Sequence, residues 1–546
     1  MTTIDTHATS AAPASAGLAC VADWVTTTDH KKIGRLYLGS AAVALIGSVV
    51  VAALLAFERI DTGGTVLPIE SLTQLFSLYR FGLTYVVLLP LMVGVATAVV
   101  PLQVGARSIA FPRLAAAGFW GWLIGSIVSI VSIAANGGPN GGNALFVDLF
   151  YLSCAMAIIG LLATTVSLAT TILTTRAPGM NLRRVPWFTW SVLVMSVALA
   201  VALPVLVGNL VYLFVGHRYP SLSELSGNRA ISDWAAFGFT QPTTAIFAIP
   251  VFGFLADTVA TGTKARLTPR GSIFAAIGVV GTAVFASAVQ QPVIIRSAFS
   301  SLSASAKVSD LIPYALVHIL PLLGAFLAVA LTASALKKKP TVGAPLVFAL
   351  LGSLLVLLGL AASALQHIGD AGLMGTVFEE GALLAVVYGA VLAGLGAVAH
   401  WGPKWWGRSM PTKATLPLAL LGFLGGVLAS VPLFIAGFAD QPGGVFPAVE
   451  PGVDGVVKFE YSGPQELWNA LSAIGHVVVL LTVLAFVALA LRAFLKGDHV
   501  GDDPWDGQTL EWATTSPAPE YNFAEIHIVR SAEPLLDLKS SNRSDA

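Results

Sequence analysis

Nine histidines are the residues of this chain best suited to hold a metal, since imidazole is a natural ligand for iron, copper and zinc. His7, His30, His217, His499 and His527 fall in loops or tails, while His318, His367, His400 and His476 lie in or at the ends of hydrophobic runs. For His318 and His476, satisfaction by a backbone carbonyl is the commoner role of a lone histidine on an apolar face, and ligation of a metal the rarer one. Glu379 and Glu380 form a second set, adjacent carboxylates inside a hydrophobic run. A carboxylate at the bilayer centre costs about 2.5–3.5 kcal/mol on insertion scales. Neighbouring helical residues point about 100° apart, so one of the two faces the bundle interior. A functional site on one hand, and interfacial solvation or a pairing with Arg80 or Arg296 on the other, are equally good readings of it. Gln241, Gln290 and Gln291 make a third set. Amides on membrane helices mostly bond across to a neighbour for about 1 kcal/mol, which is the first reading of these three; a polar site is the second.

The elements that hold these residues are set by composition. The chain has 546 residues, 56% hydrophobic and only 11% charged, with a mean hydropathy of +0.81. Soluble domains carry roughly 25% charge, so most of this surface faces lipid or other apolar helices. The net charge is zero, which gives a nucleic-acid partner no support. Two distant cysteines, Cys20 and Cys154, exclude a disulfide framework and a thiolate zinc site.

A helix crosses the hydrocarbon with about 20 apolar residues. Twelve such runs occur, near 34–57, 78–101, 115–135, 148–175, 187–216, 234–261, 272–297, 308–333, 342–366, 375–400, 414–437 and 466–494. The spacing predicts an all-α membrane protein, a twelve-helix transmembrane bundle spanning 23–496. Residues 1–22 are expected as a disordered cytoplasmic tail, and 497–546 as a polar, Pro-rich cytoplasmic tail. With the N-terminus inside, the inner segments hold 19 Lys and Arg against 7 outside. By the positive-inside rule both termini are then cytoplasmic, and lipid is the first partner.

Several segments resemble the heme-copper oxidase subunit I family. They are Asp29-His30-Lys31-Lys32-Ile33-Gly34-Arg35-Leu36-Tyr37; Pro101-Leu102-Gln103-Val104-Gly105-Ala106 with Ala110-Phe111-Pro112-Arg113-Leu114; and Arg176-Ala177-Pro178-Gly179-Met180 with Arg184-Val185-Pro186 and Trp190-Ser191. The last is Asp502-Asp503-Pro504-Trp505-Asp506-Gly507-Gln508-Thr509-Leu510-Glu511-Trp512-Ala513-Thr514. In order, and with the matching helix count, they imply the fold of bacterial cytochrome c oxidase subunit I over almost the whole chain.

In that family six histidines hold two hemes and a copper. The resemblance places the low-spin heme ligands on Tyr79 and, on the tenth run, a pair of heme histidines on Gly381 and Leu383. The copper ligands fall on Gln241 and on Gln290 and Gln291, the gating glutamate on Thr243 and the cross-linked tyrosine on Ala245. The two proton-channel residues become Ser108 and Ala325, the propionate arginines Gly443 and Gly444, and the magnesium pair Leu373 and Met374. None of these offers an imidazole, so the resemblance carries an expectation of no heme and no copper. Emptied pockets are expected to be smaller than a heme, with Tyr79, Phe81, Tyr85, Phe247, Phe378 and Tyr388 among the rings filling them, and Gln241 facing Gln290 or Gln291. The leading function is then a non-catalytic scaffold, partner or regulator of a respiratory complex, docked to other oxidase-type subunits in a bacterial cytoplasmic membrane. A transporter or ion-conducting protein using Glu379, Glu380 and the glutamines is the alternative. A terminal oxidase with relocated ligands is the third.

Overall fold

A computed structural model describes residues 16–60, 67–219, 243–288, 293–296, 304–338, 340–443, 463–525, 528–537 and 539. Gln241, Gln290, Gln291 and Gly444 lie outside the described residues, as does the side chain of Thr243.

A short helix, α1 (Ala16–Val25), precedes the bundle. Residues 16–22 are therefore helical where a disordered tail was expected; Ala16, Leu18 and Ala19 are strong helix formers. Twelve helices long and apolar enough to span a membrane follow: α2 (His30–Glu58), α3 (Ser71–Gln103), α4 (Pro112–Ala134), α5 (Ala144–Thr174), α6 (Trp187–Arg218), α7 (Thr244–Thr263), α8 (Arg270–Ser287), α9 (Lys307–Lys338), α10 (Ala344–Gln366), α11 (Phe378–Trp406), α12 (Thr412–Phe438) and α13 (Gln465–Lys496). They match the twelve expected runs. Between α4 and α5 a two-residue hairpin pairs β1 (Gly137–Gly138) with β2 (Gly141–Gly142).

Local chemistry sets several of these boundaries. The Asp29 carboxylate accepts from the Lys31 amide at 3.0 Å and opens α2, and Asn143 does the same for α5 through Leu145 at 3.1 Å. Both satisfy backbone donors that a helix start leaves bare. In α3 the residues Gly82–Leu88 widen into a π-turn, a form that recurs at functional sites.

Two helices occupy the centre. The most apolar window of α3 is 100% buried inside the bundle and that of α11 is 94% buried, against 33% for α13. Small residues let the outer helices close around them. A Cβ at Gly160 of α5 would stand 2.4 Å from the Trp122 amide nitrogen of α4, so the two backbones touch where glycine stands.

The segment after α13 lies as a strap along the helix ends that carry Lys31, Gln103 and Lys404, the strap end, with a single helical turn at Leu510–Ala513. Lys404 Nζ donates to the carbonyls of Asp502 and Thr514, both at 2.7 Å. Lys31 Nζ donates to Asn522 Oδ1 at 3.1 Å. Arg270 pairs with Glu533 at 3.1 Å, and Arg266 pairs with Asp537.

Candidate functional site

The central helices carry a buried ionic cluster near the ends away from the strap. Arg59, just past α2, donates from Nη2 to Glu380 Oε2 on α11 at 2.8 Å, with both side chains buried. Tyr79 Oη of α3 donates to Glu380 Oε1 at 3.4 Å. Glu380 is thus the carboxylate that faces the bundle. Its neighbour Glu379 turns back and accepts the Gly375 amide at 2.8 Å. Pairing with Arg80 or Arg296 was one of the readings open for these carboxylates, and the Arg80 charge does act on Glu380 from a distance. Arg80 instead lies over the Phe76 ring, 4.4 Å from its centre, and Arg59 reaches Glu380. A buried pair with good geometry offsets the desolvation of both charges, and removing one partner leaves an uncompensated charge. Deeper in the bundle, Tyr388 Oη and His476 Nδ1 are 2.7 Å apart, joining α11 to α13.

The remaining histidines separate into two environments. His318 Nε2 bonds the Val293 carbonyl at 3.1 Å, and His367 Nδ1 bonds the Ser363 carbonyl at 2.6 Å. Their rings stack with centres 4.1 Å apart. The backbone-carbonyl reading of His318 agrees with this geometry, while its stacking on His367 is new. Burial pushes the His367 imidazole down to about 4, which its carbonyl bond only partly offsets.

At the strap end, Gln103 Nε2 donates to Asp257 Oδ2 and to Glu511 Oε1, both at 3.0 Å. Its Oε1 accepts from the Thr189 hydroxyl at 2.7 Å. Asp257 also accepts the amides of Trp187 at 3.2 Å and Phe188 at 3.1 Å, and so caps the start of α6 from α7. Burial raises the Glu511 carboxyl, against the pull of its bonds to Gln103. His30 joins the Thr97 carbonyl to Asn522 Oδ1, each at 3.0 Å. Sequence reasoning gave these residues no role. Gln103, His30, Lys31 and Glu511 all sit in the segments that carry the family resemblance, and that placement was the available signal.

The motif-matched positions are dispersed. Tyr79, Gly381 and Leu383 share the α3–α11 core and are buried. A Cβ at Gly381 would stand 2.9 Å from the Phe434 ring of α12. Ala245 is buried on α7 and Ala325 on α9. Ser108 lies in the loop between α3 and α4. The Gly443 amide bonds the Gly375 carbonyl at 2.7 Å. Of the magnesium pair, Leu373 is buried beside Phe378 and Ala382. Of the rings named for the pockets, Tyr85 lies against Phe247 at 5.4 Å and against Phe81 at 6.5 Å, while Phe378 lies against Phe434, which was not among them, at 4.8 Å.

A low-spin heme takes two axial imidazoles, or one with a thioether. Tyr79, Gly381 and Leu383 supply a phenol, no side chain and an isobutyl group, and do not fit that requirement. The buried imidazoles among the described residues are those of His30, His318, His367, His400 and His476. Among the described residues no three His, Cys, Asp or Glu come together as a metal group.

The bundle thus defines a class, a twelve-span membrane protein built around two largely enclosed helices and clasped at one end by the segment after α13. It superposes on a structure of a heme-copper terminal oxidase dimer with a TM-score of 0.65 over 94% of this chain and 89% of that one, at 13% identity. The family model described as cytochrome c and quinol oxidase polypeptide I matches residues 32–478, and the chain belongs to that family. Among its relatives are cytochrome c oxidase subunit 1 of Bacillus subtilis (strain 168), 28% identical over 94% of this chain and 82% of the relative. Another is cytochrome bo(3) ubiquinol oxidase subunit 1 of Buchnera aphidicola subsp. Schizaphis graminum, 27% identical over 95% and 79%.

This membership corrects the expectation that the chain takes no heme and no copper. The relatives are oxidase subunits and the superposed structure is a heme-copper enzyme. The expectation rested on single aligned positions, which slip easily at 27–28% identity. Gln241, Gln290 and Gln291, which stood for all the copper ligands, lie outside the described residues.

Proposed function

We propose that the chain is the subunit I-type membrane component of a respiratory oxidase assembly, where it docks other oxidase subunits as a scaffold. In this reading it lies in a bacterial cytoplasmic membrane surrounded by lipid, with both termini on the cytoplasmic side. The twelve-helix domain runs over 23–496, and 497–546 forms a cytoplasmic tail. The observation that carries the scaffold role is the Arg59–Glu380 pair. It locks α2 to α11 beside Tyr79, the one residue of the three to which the resemblance assigns a heme-ligand position. A locked pair serves rigidity better than proton or ion movement, so the ion-conducting reading gains nothing from Glu380.

A second reading, a working terminal oxidase, is favoured by the match to oxidase subunits over 94% of the chain. Heme and copper are expected in the purified protein under either reading. One experiment separates the two. The full chain is affinity-purified in mild detergent from membranes lacking any other subunit I. Co-purifying subunits are identified by mass spectrometry, and oxygen uptake is followed with reduced cytochrome c or a quinol supplied. The scaffold reading expects stoichiometric oxidase subunits and no oxygen uptake. Oxygen uptake by that assembly overturns it in favour of the second reading.

A further inference from the structure

We propose that the strap end holds a binding cavity for a small neutral amphiphile, a molecule with one hydroxyl or carbonyl on a short hydrocarbon body. The cavity has a volume of about 350 Å³ and lies where the end of α7, the start of α10, the end of α11 and strap residues Pro504, Trp505 and Asp506 meet. Small-molecule sites run to roughly 300–1,000 Å³.

His400 makes this more than a gap. The residue is only 3% exposed, yet it lines the cavity together with Trp505, on whose ring its own stacks at 5.6 Å. Its backbone carbonyl accepts from Trp505 Nε1 at 2.8 Å. Among the described residues no group hydrogen-bonds its ring. A neutral imidazole has one donor and one acceptor, and leaving them bare in an apolar setting is costly. A ligand hydroxyl or carbonyl in the cavity completes them.

The charge of the wall selects a neutral ligand. Lys264 is the ammonium that lines the cavity, and it is already engaged. It donates to the Trp505 carbonyl and to the Asp506 carbonyl at 3.0 Å, and its Nζ lies 3.3 Å from the Asp506 carboxylate. An anion would meet Asp506, and a cation would meet Lys264. The hydrocarbon body has its own place along Pro345, Leu346 and Pro504. The position suits an amphiphile, since α7 ends at Thr263 and α10 begins at Ala344, at an edge of the hydrocarbon. An occupant would tie the strap to three helices at once.

The test uses the full chain in detergent and a hexanol carrying a photoreactive diazirine, with its hydroxyl-free analogue as a second probe. Labelled peptides are mapped by mass spectrometry. The expected result is saturable labelling of the peptides bearing Leu346 and Trp505. Gly343→Leu fills the cavity, because a Cβ there stands 3.6 Å from Pro345 and 3.7 Å from the Trp505 ring, ordinary contact distances; it should abolish the saturable labelling. His400→Phe keeps the ring stack and removes the nitrogens. It should raise the half-saturating alcohol concentration about fivefold, the worth of one hydrogen bond, and leave the hydroxyl-free analogue unchanged. Labelling that does not saturate, or that persists in Gly343→Leu, overturns the proposal. Equal weakening of both probes by His400→Phe overturns the role given to the imidazole.

Discussion

Glu380 shows how far a single residue can be read. Its helical phase relative to Glu379 made it legible that one carboxylate enters the bundle. Its partner was not legible, because Arg59 is 321 positions away and stands just beyond the end of an apolar run. Arg59→Met or Glu380→Leu alone should destabilise the protein by about 3–5 kcal/mol, since each strands a buried charge. The double variant should recover most of that loss. Thermal melts of the three proteins in one detergent check this, and additive losses in the double variant would contradict it. His367 gives a pH dependence. Its folded value of about 4 lies below the ordinary 6.5, so the unfolded chain binds the proton more readily. The contribution is complete above about pH 6.5 and is lost as the pH falls toward 4. The thermal midpoint should therefore drop over that window, and His367→Gln should flatten the drop. An unchanged profile in the variant would remove His367 as its source.

Among the elements, the twelve spans were legible because length and hydropathy alone define them. Closeness between neighbours was not, since it depends on which glycine faces which backbone. Gly160 is a sharp case. Any side chain there meets the Trp122 amide and the Gly118 carbonyl, at 2.4 and 2.5 Å from the Cβ. Gly160→Val should force α4 and α5 apart and cost about 1–3 kcal/mol or more. Gly39 of α2 has nothing within 4 Å of a Cβ, and Gly39→Ala should be neutral or stabilise by up to about 1 kcal/mol. Thermal midpoints of both variants check the contrast, and similar losses at the two sites would refute it. The π-turn at Gly82–Leu88 and the His318–His367 stack were invisible for a different reason. A π-turn leaves no mark in hydrophobic periodicity, and the stack depends on the fold of a loop.

On the scale of the whole molecule, the family signatures turn out to be parts of one device. The opening segment around His30, the Gln103 segment and the Glu511 segment read as separate motifs, and the structure joins them at the strap end. The sequence could mark them as a set but not show that they touch. Lys404 is the buried ammonium that fastens the strap there. Lys404→Met should leave the carbonyls of Asp502 and Thr514 without their donor and loosen the strap. Limited trypsin digestion, followed at Arg530 and Lys539, should then cut the variant faster than the parent. Equal rates would mean that the other ion pairs hold the strap alone.

The bond between His30 and Asn522 spans 492 positions, and this bears on how the protein is made. The first membrane helix leaves the ribosome early, while the partner of its His30 follows 492 positions later. At roughly 5–20 residues per second, the interval is tens of seconds to more than a minute and a half. During that time the helices are inserted, but the strap ends of α2, α3, α7 and α11 stand without their clasp. A chain broken off before Asn522 would carry every membrane span and still lack the closing contacts at both ends of the sequence. The contact at His30 therefore forms only after nearly five hundred further residues have been added to the chain.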